Sequence, residues 1–512
     1  MVHLMKALYV VFFSFFICCS VNDRKIEMET YTLRTCLRKD PISLDPALGN
    51  DMAASQIHFM MYEGLYQLDP YGALIPAQAK FYDLSPDRKT YTFHLLETKW
   101  SDGTFVTAYD FERSWKRLLD PEFPSPDAYL LYCVKNAKQA KKKECSLGEV
   151  AIHAQNAKTL VVELEYPTPS FLQITATSVL LPVHLHPTVS NGPFTLVKWD
   201  INNEIVLDKN PNYRLANKVQ LHRVSLEILD REMAALHMYA SGHFDLIGAP
   251  LSFFPAILSQ DLEQRDLVAI YPVATTKFLA FNTQFSLFSN ANVRKAFSYA
   301  IDRAAIVKNI TQFNEREAKS LIPPLLLDFE PQKAAETAQS CLAQGLKELQ
   351  LEKCPQVVFM YVSSEVNHLL VQELQSKWSS LLGVKVRLES VDFKTLHERS
   401  ERGDFAIGLF ALSAEYADPM NILERFQDKN NHRNYSQWEN HRYNDLLAKA
   451  AIAPNRQDYD ELIKRAAHLL TEEMPIAPLF HENYLFLVQP YVKGFAISPL
   501  GHIFFEHLSI EK

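Results

Sequence analysis

The sequence predicts a mixed α/β protein divided into two or three domains, and three observations carry that reading. At 512 residues the chain exceeds what one hydrophobic core ordinarily serves. Stretches with two-residue alternation are scattered among stretches with helical periodicity along the whole length, with no internal repeat and no low-complexity linker. Finally, the helical stripe Val366, Leu370, Leu374, Trp378 and Leu381 passes through Gly383 directly into the alternating segment Val384–Leu388, and helix leading straight into strand is α/β architecture. With no flexible spacer, the domains are expected to be joined by strands that cross between lobes.

The elements follow in order. Thr90–Leu95 alternates as a half-buried strand, and Asp102-Gly103 supplies a turn. Thr107 reads as a helix N-cap with Asp110 three residues on, and Val106 and Phe111 occupy the staple positions. The helix from Ala108 should stop at Leu119, before Asp120-Pro121. Leu160–Leu164 and Glu204–Asp208 read as strands. One helix is expected over 290–310, with Val293, Phe297, Ala300, Ile301 and Val307 on a single face, and a last one from about Asn455 to just before Pro475.

Composition sets the class. The chain is 47% hydrophobic and 12% aromatic, enough for a large core. A formal charge of -8 gives no electrostatic basis for a polyanion, so nucleic acid is excluded as a partner.

At the N-terminus, His3 and Lys6 precede the apolar run Ala7–Ile17 and then Cys18-Cys19-Ser20. A cationic start, an apolar run too short to span a bilayer and a small-residue exit describe a secretory signal over residues 1–19. The cysteine at its end points to a lipoprotein anchored through Cys19 in preference to Cys18. No later stretch reaches about 18 consecutive apolar residues, so the membrane is expected to be met through the lipid anchor alone. The remaining cysteines, Cys36, Cys133, Cys145, Cys341 and Cys354, are odd in number and form no C-x-x-C pair. The expectation is that Cys133–Cys145 and Cys341–Cys354 pair while Cys36 stays free; isolated buried thiols are the alternative.

Enzymatic signatures are missing. There is no G-x-S-x-G, H-E-x-x-H, P-loop or G-x-G-x-x-G segment. His397-Glu398 and His481-Glu482 open like a zinc motif but lack the second histidine, and His184 with His186 makes two ligands without a third. Lys141–Lys143 reads as a solvated loop. The expectation is a protein that is not an enzyme and has neither metal nor cofactor.

Several segments, in order, carry a resemblance: Ser43–Pro46; Tyr62–Tyr66; Tyr91–Leu95 leading to Lys99-Trp-Ser-Asp-Gly-Thr104; Val106–Ala108 with Asp110-Phe111; Ser114–Arg117; Asn191-Gly-Pro-Phe194; Asn210–Tyr213; Asn292–Arg294; Ala300–Arg303; Leu382–Val384; and Tyr416–Pro419. Together they resemble the oligopeptide-binding proteins of bacterial peptide importers across nearly the whole mature chain. The resemblance implies a two-lobed clamp of the periplasmic binding-protein type with an additional domain. One lobe would take residues 30–62, 181–272 and 484–512, the extra domain 63–180 and the second lobe 273–483. It implies an oligopeptide held extended in the cleft, a membrane permease of an ABC importer as partner, a monomer, and a lipid-anchored place in the periplasm. On the same fold a muropeptide, dipeptide, haem or nickel chelate is the alternative cargo; from other classes, the alternatives are a secreted hydrolase or a surface adhesin.

Residue by residue, the resemblance places the acid that receives the peptide α-ammonium at Glu415, with the backbone of Ser413, Ala414 and Glu415 continuing the peptide strand and Tyr416 beside it. The strand Gly49–Met52, with Asn50 and Met52, would form the opposing edge. Phe393 stands where the family covers the ligand with tryptophan, and Phe480 and His481 match an aromatic run near the hinge. Leu409 replaces a basic residue that receives a short peptide's carboxylate, and Asn367, with His368 beside it, replaces a histidine. Arg399, Arg402 or His368 remain as substitute cations, so weak discrimination between free and amidated C-termini is expected.

Overall fold

The computed structural model describes residues 31–49, 51–253, 267–331, 335–431 and 433–511; the signal segment, Cys18, Cys19 and Asn50 lie outside them. Its frame is three sheets. In the first, Thr32–Leu37 pairs in parallel with Arg223–Ile228, which continues antiparallel to Glu204–Lys209 and then Phe194–Asp200. The second orders Ala79–Leu84, Thr90–Leu95, Thr159–Glu163 and Ile152–Asn156, all antiparallel. The third runs Leu246–Gly248, Ile476–Val488, Val268–Phe281, Ile407–Ser413, Val357–Val362, Val386–Val391, with Arg316–Glu317 also on the second of these strands.

Local chemistry explains the boundaries. The helix Ala108–Leu119 starts at Thr107 with both halves of the capping box to Asp110. Lys141 lies near its other end, where Nζ donates to the carbonyls of Leu118, Asp120 and Phe123. It satisfies acceptors that a helix terminus leaves open, so this lysine is a cap, not a solvated charge. Ser364 opens the helix Glu365–Leu382 by accepting from Asn367 N, and Gly383 closes it with φ 66°.

Two further expectations are corrected. The span 290–310 is not one helix: Ala291–Tyr299 ends, and a short helix begins at Arg303 because the Asp302 carboxylate accepts from Ala305 N. A side-chain cap competes with helix continuation. The five described cysteines are free thiols. Cys133 Sγ is spent on Leu130 O and Cys145 Sγ on Asn136 O, so the two point at different carbonyls.

One hydrophobic core joins the first two sheets, with Leu33, Phe93, Trp115, Leu226 and Phe505 among its buried members. The third sheet has a core on each face. Phe278, Ala280, Phe410 and Leu412 face one, and Leu279, Phe281, Phe359 and Leu409 the other, which is the period-2 alternation of strands buried on both sides. The long strands Val268–Phe281 and Ile476–Val488 connect the bodies. Their outer ends, with Tyr271 and Phe486, pack on the first core, and their inner ends on the other two. Among the described residues no helix is long and apolar enough to cross a membrane.

Candidate functional site

Between the bodies joined by these strands lies a cavity of about 830 Å³, lined by Arg38, Ala249 and Phe253 on one wall and by Val362, Asn367, Phe393, Leu409 and Ala411 on the other. Lys277, Phe480 and Glu482–Leu485 form its floor. Such a volume at a domain interface is typical of a ligand site. Its second wall also offers backbone. Strand Ile407–Ser413 pairs with Val357–Val362 only at Phe359↔Ile407 and Met360↔Gly408, then parts from it. From Leu409 onward, that edge faces the cavity with no strand of the described residues beside it, the geometry that main-chain addition of an extended ligand needs.

Four of the sequence-derived positions meet here: Phe393, 67% exposed at the start of a helix, with Asn367, Leu409 and Phe480. Others do not. Met52 opens the helix Met52–Met61, because Asp51 accepts from Ala54 N, so this segment is a helix start and not an edge strand. Ala414 N donates to Ala274 O and Glu415 N to Asn421 Oδ1; these amides are therefore committed within the protein and do not continue toward a ligand. The Ser413 hydroxyl bonds Thr275. His481 faces away from the cavity, its Nδ1 2.8 Å from the Thr276 hydroxyl, and burial pushes it down to about 4. His368 is held by Tyr361 and Gln372, Arg399 by Glu389 and Asp404, and Arg402 lies exposed beside Glu398. All three substitute cations are therefore occupied outside the cavity wall.

Glu415 lies at a different junction. Its carboxylate is paired with Arg433 and accepts from the Tyr129 hydroxyl, while Arg425 stands at 3.7 Å. Arg433 also reaches Asp127 at 3.1 Å and lies over the Tyr129 ring. Asp127 and Tyr129 follow the helix of the second sheet, so the network clasps that body to the one carrying Glu415. Tyr416 and Tyr129 open instead onto a second cavity of about 420 Å³. There Glu424, pushed up to about 7 by burial, accepts from the Tyr416 hydroxyl.

Many residues that carry the resemblance are scaffolding. Glu63 accepts from Gln78, Tyr213 and Arg214, and its backbone exchanges bonds with the Asn191 side chain. Arg117 pairs with Asp45. Arg294 donates to the carbonyls of Phe288, Ser289, Glu473 and Met474. Glu63 and Arg294 are buried polar groups spent on their neighbours, as interiors require, whereas Arg117 is half-buried and its Nε makes no hydrogen bond among the described residues. Missed from sequence were Lys277, Glu482, Arg433, Asp127 and Tyr129. Only Lys277 left a signal, as the one charge in the otherwise uncharged run Val268–Phe281. Among the described residues no cluster of metal-ligating side chains occurs.

The family model of bacterial extracellular solute-binding proteins, family 5 (middle), matches residues 73–434. The chain is 32% identical over 501 residues to the oligopeptide-binding protein OppA of Bacillus subtilis, covering 93% of this chain and 92% of that one. It is 30% identical over 489 residues to the dipeptide-binding protein DppE of the same bacterium, with 91% and 89% covered. The solved structure of the murein tripeptide binding protein MppA of Escherichia coli matches at 27% identity with a TM-score of 0.82, over 94% of this chain and 98% of that one.

Proposed function

Because the chain belongs to the bacterial extracellular solute-binding proteins of family 5, we propose that it captures oligopeptides between its lobes and hands them, without turnover, to the membrane permease of an ABC importer. The observation that carries this reading is the interlobe cavity of about 830 Å³ with the unaccompanied strand edge beyond Gly408 in its wall. An extended peptide bonds such an edge through its main chain, so affinity depends weakly on sequence. In this reading the lobes comprise residues 30–62, 181–272 and 484–512 against 273–483, with 63–180 as the added domain. Glu415 receives the peptide ammonium in exchange with Arg433, and Phe393 covers the ligand. The protein acts as a monomer outside the cytoplasmic membrane, held by acyl chains on Cys19.

Native mass spectrometry of the purified protein, followed by calorimetry with synthetic peptides of three to five residues, tests the cargo. Saturable binding of peptides that are recovered uncut supports the reading; cleavage of the peptides, or saturable binding only to a protein partner, refutes it. Fatty-acid labelling tests the anchor, and a Cys19→Ser variant that incorporates as much label as the parent excludes that site. The likeness to the murein tripeptide binding protein makes cell-wall peptides a second cargo class, to be run beside ordinary ones.

A further inference from the structure

Two part-buried side chains of opposite charge in the cavity are held by no hydrogen bond or ion pair of the described residues. Lys277 and Glu482 lie on the adjacent strands Val268–Phe281 and Ile476–Val488, close to the Lys277↔Phe480 register pair, and both line the cavity. Among the described residues neither makes an ion pair or a hydrogen bond. Burial lowers the Lys277 ammonium and raises the Glu482 carboxyl, each softened by the other's charge. Of the other acids in the lining, Glu315 accepts from the Thr311 hydroxyl at 2.7 Å and from Phe313 N at 3.0 Å, and Glu232 and Glu365 are exposed. Arg38 is exposed at the rim, over the Phe253 ring. Around Lys277 the wall is apolar, with Leu409, Phe480 and Ala411 on the same side.

An ammonium held in an apolar wall with no hydrogen-bonded anion is costly, and an anion delivered by the ligand removes that cost. We propose that Lys277 is the anion receptor of the cleft and selects ligands that present a carboxylate to it, with Glu482 beside it limiting how strongly that carboxylate is held. This rests on the peptide reading and deepens it. It also reverses the expectation drawn from Leu409: the cation has not been lost from the cleft but is supplied by a neighbouring strand. A peptide carboxylate has two sources, the C-terminus and an acidic side chain.

Calorimetry with trialanine, tetra-alanine and penta-alanine, each as free acid and as amide, and with Ala-Glu-Ala amide, separates the sources in the parent, Lys277→Met and Glu482→Gln proteins. Loss of the carboxylate should cost the parent tenfold or more in affinity for at least one length, and Lys277→Met less than twofold. Where the side chain is the source, Ala-Glu-Ala amide instead binds the parent at least tenfold tighter than trialanine amide, and Lys277→Met abolishes that gain. Glu482→Gln should tighten the carboxylate-bearing peptide several-fold, a gain that structural damage does not produce. A carboxylate effect of equal size in parent and Lys277→Met overturns the assignment while leaving the peptide reading intact. A parent that binds none of the seven peptides overturns both.

Discussion

Replacing Glu415 by glutamine isolates one charge at a junction whose energetics can be worked out from its neighbours. The carboxylate is 24% exposed and faces Arg433 and Arg425. Removing one member of a fully buried pair costs about 3–5 kcal/mol, and an exposed pair is worth about 0–1 kcal/mol. A peptide ammonium that arrives here does not meet a bare carboxylate. It takes a place held by Arg433, which retains Asp127 at 3.1 Å. The exchange of one cation for another should therefore return about 2 kcal/mol, roughly thirtyfold in affinity. The assay is a cycle: a peptide and its N-acetyl form titrated calorimetrically into the parent and into Glu415→Gln. Acetylation should weaken binding to the parent about thirtyfold and to the variant by less than about fivefold. Equal losses in both proteins would falsify ammonium recognition by Glu415 and leave it as a clasp between the bodies carrying Tyr129 and Arg433.

Other perturbations test the scaffold. A Cβ at Gly192 would sit 2.6 Å from Met61 C and Tyr62 N, so Gly192→Ala should destabilise by about 3 kcal/mol, read as a lowered urea midpoint; an unchanged midpoint refutes the packing argument. His481, pushed down to about 4 by burial with Arg316 adding to the effect, should stay neutral at pH 5 in imidazole ¹⁵N spectra. The unfolded chain takes up that proton first, so the stability His481 contributes is full above about pH 6.5 and is lost as pH falls toward about 4. An imidazole midpoint near its ordinary value would contradict this. Cys133, buried and raised to about 12, should resist Ellman's reagent until the protein is unfolded, whereas rapid reaction in the native state would show the thiol to be accessible.

What could be read from sequence was local. The capping box at Thr107 and Asp110, the stop before Pro121 and the Gly383 terminus all act within a turn of the residues that define them, and the structure has each in place. The break at Asp302 escaped because the apolar stripe continues across it, and only the side-chain cap to Ala305 reveals the new start. The site escaped for a different reason. Arg433 meets Tyr129 from 304 residues away, a juxtaposition that no periodicity encodes. Conspicuous motif residues such as Glu63 and Arg117 proved to hold the frame together. A single lysine in a strand of uncharged residues marked the cleft.

The first body is built from segments far apart along the chain. Gln56 bonds Gly501 O and Ile503 N, partners 445 and 447 positions away, and Leu508 and Ile510 close the same core as Leu33. A ribosome adding about 5–20 residues per second needs roughly 22–90 s to cover that distance. For all that time Leu33, Leu37 and Ile57 have no finished interior to enter, so this body cannot settle domain by domain as the chain emerges. For a member of an extracellular solute-binding family, that delay has a use: this body stays unpacked, and so threadable, until the segment from Gly501 to Ile510 has been made.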